Sequence, residues 1–130
     1  MSDKPMNTDV DTVLQLLIET ANTKNYSFDI TLNVKGTVVT GTVIAAKDYL
    51  EKLSKEFSQE DEVEKEINDK LQSAVDALEE EEEPSANYVH LEEAKLFSES
   101  GKSLPSEGSV LWRGKLNDVD GFFLGKVTAD

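Results

Sequence analysis

Hydrophobic residues recur along this chain with two periods, and the switches between them mark out its elements. Val10, Val13, Leu14, Leu17 and Ala21 share one face at helical spacing behind Asp9, a capping side chain, so a first helix is predicted to end near Asn22. Phe28, Ile30, Leu32 and Val34 then alternate with Ser27, Asp29, Thr31 and Asn33, the period-two pattern of a strand with one buried face. Lys35 and Gly36 supply a two-residue turn. If Val34 pairs with Thr37, then Leu32 opposes Val39, Ile30 opposes Gly41 and Phe28 opposes Val43, which puts the apolar residues of both strands on one face.

After Ala45 the period returns to helical. Ala46, Tyr49 or Leu50, Leu53 and Phe57 trace one stripe, Ser58 to Asp61 break it, and Val63, Ile67, Leu71, Ala74 or Val75 and Leu78 trace a second over residues 61–80. The carboxylates of Glu79, Glu80, Glu81, Glu82 and Glu83 repel one another and oppose the helix dipole, and Pro84 lacks a donor, so the helix is expected to stop there in a solvated linker. Residues 87–97 alternate again, although Glu92-Glu93-Ala94 blurs which side faces in. Gly101, Pro105 and Gly108 mark a loop. Val110, Trp112, Gly114 and Leu116 alternate with Leu111, Arg113 and Lys115, and turn residues 117–121 lead to a last strand over 122–127, predicted to close a second hairpin. The expected fold is α+β: an N-terminal helix and a bent five-stranded antiparallel sheet, similar in layout to Sm-like and SH3-like barrels, with a two-helix insertion between strands two and three. One domain of 130 residues is expected, with a mobile start over 1–8 and an acidic helical insertion with its Glu-rich linker over 46–85.

Charge sharpens that division. The formal net charge is −14, and residues 48–83 hold fifteen acids against four lysines while residues 108–130 are neutral. Such a surface repels nucleic acid and anionic lipid, so neither is an expected partner. No apolar run approaches the roughly 18 residues of a membrane span, and the start lacks a signal-peptide layout, so the expected address is the cytoplasm. With no cysteine there is no disulfide, thiolate metal site or cysteine nucleophile. His90 is the single histidine, too few for a transition-metal site with Glu93 alone. Aligning Asp118-Val119-Asp120-Gly121 to a calcium loop puts Leu116 and Val127 where oxygen ligands belong, so a turn is the better reading. No nucleophile elbow, phosphate loop or zinc-protease string occurs. Neither enzyme activity nor a cofactor or metal is expected.

The candidate functional residues lie instead in the neutral C-terminal third. Phe122 and Phe123 are adjacent in a strand and must point to opposite faces, so one needs a second cover. Leu111, Trp112, Arg113, Lys115, Phe122 and Phe123 have the composition of a partner contact, and Glu79 to Glu83 that of an electrostatic arm.

The strings Leu111-Trp112-Arg113-Gly114-Lys115 and Val119-Asp120-Gly121-Phe122-Phe123-Leu124-Gly125-Lys126 resemble the C-terminal signature of the gas vesicle accessory protein GvpU family. Leu32-Asn33-Val34, Gly36, Gly41-Thr42, Ala46-Lys47 and Val89-His90-Leu91 are similar to its earlier blocks, so the likeness spans most of the chain outside residues 51–85. The resemblance implies a non-enzymatic protein associated with gas vesicles. It would act by contact with the vesicle shell or other gas vesicle proteins, and self-association or vesicle clustering would use the same chemistry. The alternative is a small acidic chaperone that holds an aggregation-prone client such as a shell subunit.

Overall fold

The computed structural model describes residues 10–80 and 86–127. Helix α1 (Thr12–Lys24) is capped by Asp11, whose Oδ1 accepts from the amides of Val13 at 2.8 Å and Leu14 at 3.3 Å. The predicted cap, Asp9, lies outside the described residues. At the other end Asn25 takes a left-handed conformation and its N–H bonds the Ala21 carbonyl, which stops the helix. The buried stripe is Leu14, Ile18 and Ala21; Val13, expected on that face, is 59% exposed. Both sets satisfy helical spacing, and only the angle at which α1 meets the sheet selects between them.

Strands β1 (Phe28–Val34) and β2 (Thr37–Val43) form the predicted hairpin in the predicted register, from Val34 opposite Thr37 to Phe28 opposite Val43. Lys35 and Gly36 both have positive φ, as the tight turn requires. Strand β3 (Tyr88–Phe97) adds to β2 antiparallel. The ambiguity around Glu93 is a β-bulge: Glu93 has φ 52° and the register slips there on both sides of β3. Gly41 faces the bulge, and a Cβ on it would lie 3.1 Å from the Ala94 Cα.

The C-terminal strands correct the sequence reading. Strand β4 (Ser103–Leu104) is a two-residue addition to the end of β3, which makes the sheet six-stranded rather than five-stranded. Strand β5 (Val110–Lys115) pairs with β3, whereas β6 (Val119–Leu124) pairs with β1 on the opposite edge, so the two do not form a hairpin. A three-residue 3₁₀ turn (Leu116–Asp118), about 6 Å long at 2 Å per residue, joins them. Two edges of one sheet can be bridged so briefly only if the sheet curls round. Its concave side holds the core, with Ile30, Leu32, Val39, Leu91 and Leu116 packed against Leu14 and Ile18 of α1.

Helices α2 (Ala46–Ser54) and α3 (Glu62–Glu80) form the expected insertion between β2 and β3. Helix α2 stops before Phe57, and Asp61 caps α3 through Val63 and Glu64. The pair is joined by polar contacts: Asn68 Nδ2 donates to the Ser54 carbonyl at 2.6 Å and Gln72 Nε2 to the Ser54 hydroxyl at 2.8 Å. At 1.5 Å per residue α3 is about 28 Å long against about 14 Å for α2, so its first turns extend past α2 and meet the connecting segment, whose Ser58 amide donates to Glu64 Oε1 at 2.9 Å. Val75 is buried against the partner helix, while Val63 is 65% exposed and Ile67 37%.

Candidate functional site

The outer face of the sheet carries a groove of about 560 Å³ bounded by Thr31, Val38, Phe97, Phe123 and Val127. Alternation builds it. Phe122 opposes Leu32 and packs against the core, so Phe123, opposite Thr31, must point outward, and it is 55% exposed. Phe97 opposes Val38 at the far end of β2 and closes the other side of the groove. Leu124, the last residue of β6, is 63% exposed beside it.

The groove's end wall is made by the chain doubling back. Gly125 has φ 107°, a conformation that side chains disfavour, and it turns residues 125–127 across the outer face of β1 and β2. The buried hydroxyls of Thr31 and Thr40 hold that segment. Thr31 donates to the Gly125 carbonyl at 2.7 Å, which uses its only proton, so Thr40 is the donor in the 3.0 Å contact between the two hydroxyls. Thr40 Oγ1 in turn accepts from the Val127 amide at 2.9 Å. Lys126 closes the segment with ion pairs to Glu93 and Asp29.

A second cluster joins the sheet to the helical insertion. His90 is buried beneath the Tyr49 ring of α2, with ring centroids 4.8 Å apart. Arg113 lies 4.0 Å above the centre of the Tyr88 ring and its Nε donates to His90 Nε2 at 3.1 Å. Since Nε2 accepts, the neutral imidazole carries its proton on Nδ1, which is buried and has no partner. Burial, reinforced by the neighbouring Arg113 charge, lowers the His90 pKa from 6.5 to about 4. Among the described residues no three His, Asp or Glu side chains converge as a metal site, and no helix is long and apolar enough to cross a membrane.

The candidate contact residues therefore do not form one patch. Trp112 packs against the core, its ring so close over Gly114 that a Cβ there would stand 2.3 Å from the indole. Arg113 is engaged with Tyr88 and His90; Leu111 faces α2 beside Leu53 and Lys52; Lys115 is exposed. Of the six, Phe122 and Phe123 border the groove and Phe123 alone is exposed in it. Glu79 and Glu80 end α3, and Glu81, Glu82 and Glu83 lie outside the described residues. Sequence reading missed Val38, Phe97 and Val127 as groove residues; an apolar Val38 on the otherwise polar face of β2 was the available signal.

A family model described as gas vesicle protein GvpU-like matches residues 11–127, nearly the whole of the described chain. No curated protein and no solved structure matches.

Proposed function

Because the chain belongs to the GvpU-like family of gas vesicle proteins, we propose that it is a non-enzymatic, cytoplasmic accessory protein that acts by protein-protein contact in vesicle assembly or on the vesicle surface, through the groove on the outer face of its sheet. The supporting observation is Phe123, more than half exposed in an apolar groove on an edge strand, in the region of the chain with no net charge. An exposed aromatic with a neutral surround, which a bound partner would bury, has the composition of a binding hot spot. The acidic helices and the Glu-rich stretch after them set the charge background: they oppose close approach of further copies, so self-association and vesicle clustering rise as salt screens them.

Flotation of the purified protein with intact gas vesicles across a salt series tests this reading. The protein is expected to rise with the vesicles, because an apolar anchor survives screening. A folded protein that stays behind at every salt concentration contradicts it.

The runner-up, a chaperone for a shell subunit, draws on one specific feature. Val63 and Ile67 stand exposed on the end of an acidic helix that extends past α2, a surface able to hold an apolar client in solution. Such a protein keeps unassembled shell subunits soluble and ignores finished vesicles, whereas a surface regulator binds them.

A further inference from the structure

The two edges of the sheet are finished differently. One is blunted by devices that discourage strand addition: β4 is two residues long and runs into Pro105, and β5 carries Arg113 and Lys115. The other edge, β6, ends in Phe122, Phe123 and Leu124, with no Lys, Arg or Pro among its six residues. Among the described residues no strand pairs with its outer side.

Register fixes which backbone groups that side presents. The Gly125 amide donates to the Asp29 carbonyl at 2.9 Å, and this pair lies in line with Phe123 opposite Thr31 and Gly121 opposite Asn33. Alternate residues of an antiparallel ladder point their N–H and C=O groups to opposite sides. Residues 121, 123 and 125 therefore bond β1, while the backbone groups of Phe122 and Leu124 point away from it. The free edge thus offers a hydrogen-bonding template beside a groove that can take a side chain of an added strand.

We propose that β6 receives an extended segment of a partner protein as an added strand, the segment's alternate side chains entering the groove beside Phe123. This rests on the groove reading above and specifies its mode. Charge selects the occupant. A second copy brings another −14, and an acidic segment meets the same repulsion, so the partner strand is apolar with neutral or basic flanks. Asp120, exposed at the start of β6, accepts the Lys35 amide on Oδ2 at 3.0 Å, and its second oxygen can meet a basic flank.

Proline substitution separates strand addition from simple apolar docking. The Leu124 N–H faces outward, so Leu124→Pro removes an edge donor without removing a bond to β1, and proline is tolerated on edge strands. Co-flotation with purified gas vesicles is measured for Leu124→Pro, Leu124→Ala and Phe123→Ser, each checked by thermal melting. Strand addition predicts that Leu124→Pro weakens vesicle binding at least tenfold while Leu124→Ala, which keeps the donor, weakens it several-fold less. Equal binding by Leu124→Pro and Leu124→Ala, with Phe123→Ser defective, overturns strand addition and leaves groove docking standing. Full binding by all three overturns the groove reading itself. Should Leu124→Pro fail to fold, hydrogen exchange over residues 119–127 of the unaltered protein decides: slowed exchange on vesicle binding is expected, and unchanged exchange overturns the proposal. Vesicle-free self-association that follows the same pattern of variants would make a second copy the occupant and overturn the assignment to another protein.

Discussion

Gly114 and Trp112 show how one side chain sets the tolerance of its neighbour. They sit two apart on β5, hence on one face, and the indole covers the glycine closely enough that an alanine methyl would overlap it. Gly114→Ala is expected to displace the ring and cost about 1–3 kcal/mol, the usual range for overpacking. Since Trp112 is the only tryptophan, a red shift of its fluorescence reports the displacement directly. His90 makes a pH prediction of definite sign. Its pKa is about 4 in the folded chain and 6.5 unfolded. Between those values the unfolded chain binds more protons, so this residue's contribution to stability is present above pH 6.5 and is lost as pH falls toward 4. The loss approaches about 3 kcal/mol at 1.4 kcal/mol per unit. Urea melts of the native protein and His90→Leu between pH 4 and 7 check it: the native protein should weaken more steeply on acidification, and parallel curves would contradict the assignment. The sequence showed His90 only as a single histidine, too few for a metal site, because the burial beneath Tyr49 and the Arg113 charge that keep it neutral come from distant elements.

At the scale of elements, local pattern carried the β1–β2 hairpin to its last residue pair because turn, alternation and cross-strand partners all lie within sixteen residues. It failed at β5 and β6, where turn residues 117–121 read as a hairpin. The difference lies in Leu116 and Val119, both buried: a 3₁₀ turn tucks them into the core and sends the chain to the far edge of the sheet. That choice depends on β1 offering a free edge, which no local pattern encodes. The candidate contact residues were misassembled for the same reason, since a hairpin would have placed Trp112 and Arg113 beside Phe122 and Phe123. Helix α3 displays the complementary ambiguity. Its apolar stripe is continuous in sequence, yet α2 is long enough to cover only the second half. Val75→Ala is therefore expected to cost about 1–3 kcal/mol as a buried truncation. Val63→Gln and Ile67→Gln should each stay within about 0.5 kcal/mol, as exposed changes do. Chemical denaturation distinguishes the two, and equal losses along the stripe would mean that the first turns of α3 are covered.

Across the whole molecule, charge and apolar surface are segregated. Residues 48–83 carry a net charge of −11, whereas β6 lies within residues 108–130, which have no net charge, and the groove beside it is lined by uncharged side chains. With a screening length of about 8 Å at physiological salt, the acidic helices repel other copies at short range and leave an uncharged contact nearly unaffected. Partner binding through the groove should accordingly persist as salt rises, weakening only so far as basic flanks of the partner meet Asp120, while self-association should increase with it. The measurement that bears most directly on this account is flotation of the folded Phe123→Ser variant with intact gas vesicles, alongside a Val63→Ser, Ile67→Ser double variant. Loss of an aromatic anchor costs about 2 kcal/mol or more, roughly thirtyfold in affinity. Phe123→Ser should stay behind while the helix variant still rises with the vesicles; a groove variant that floats normally, with the helix variant left in solution, would rule out the groove as the contact.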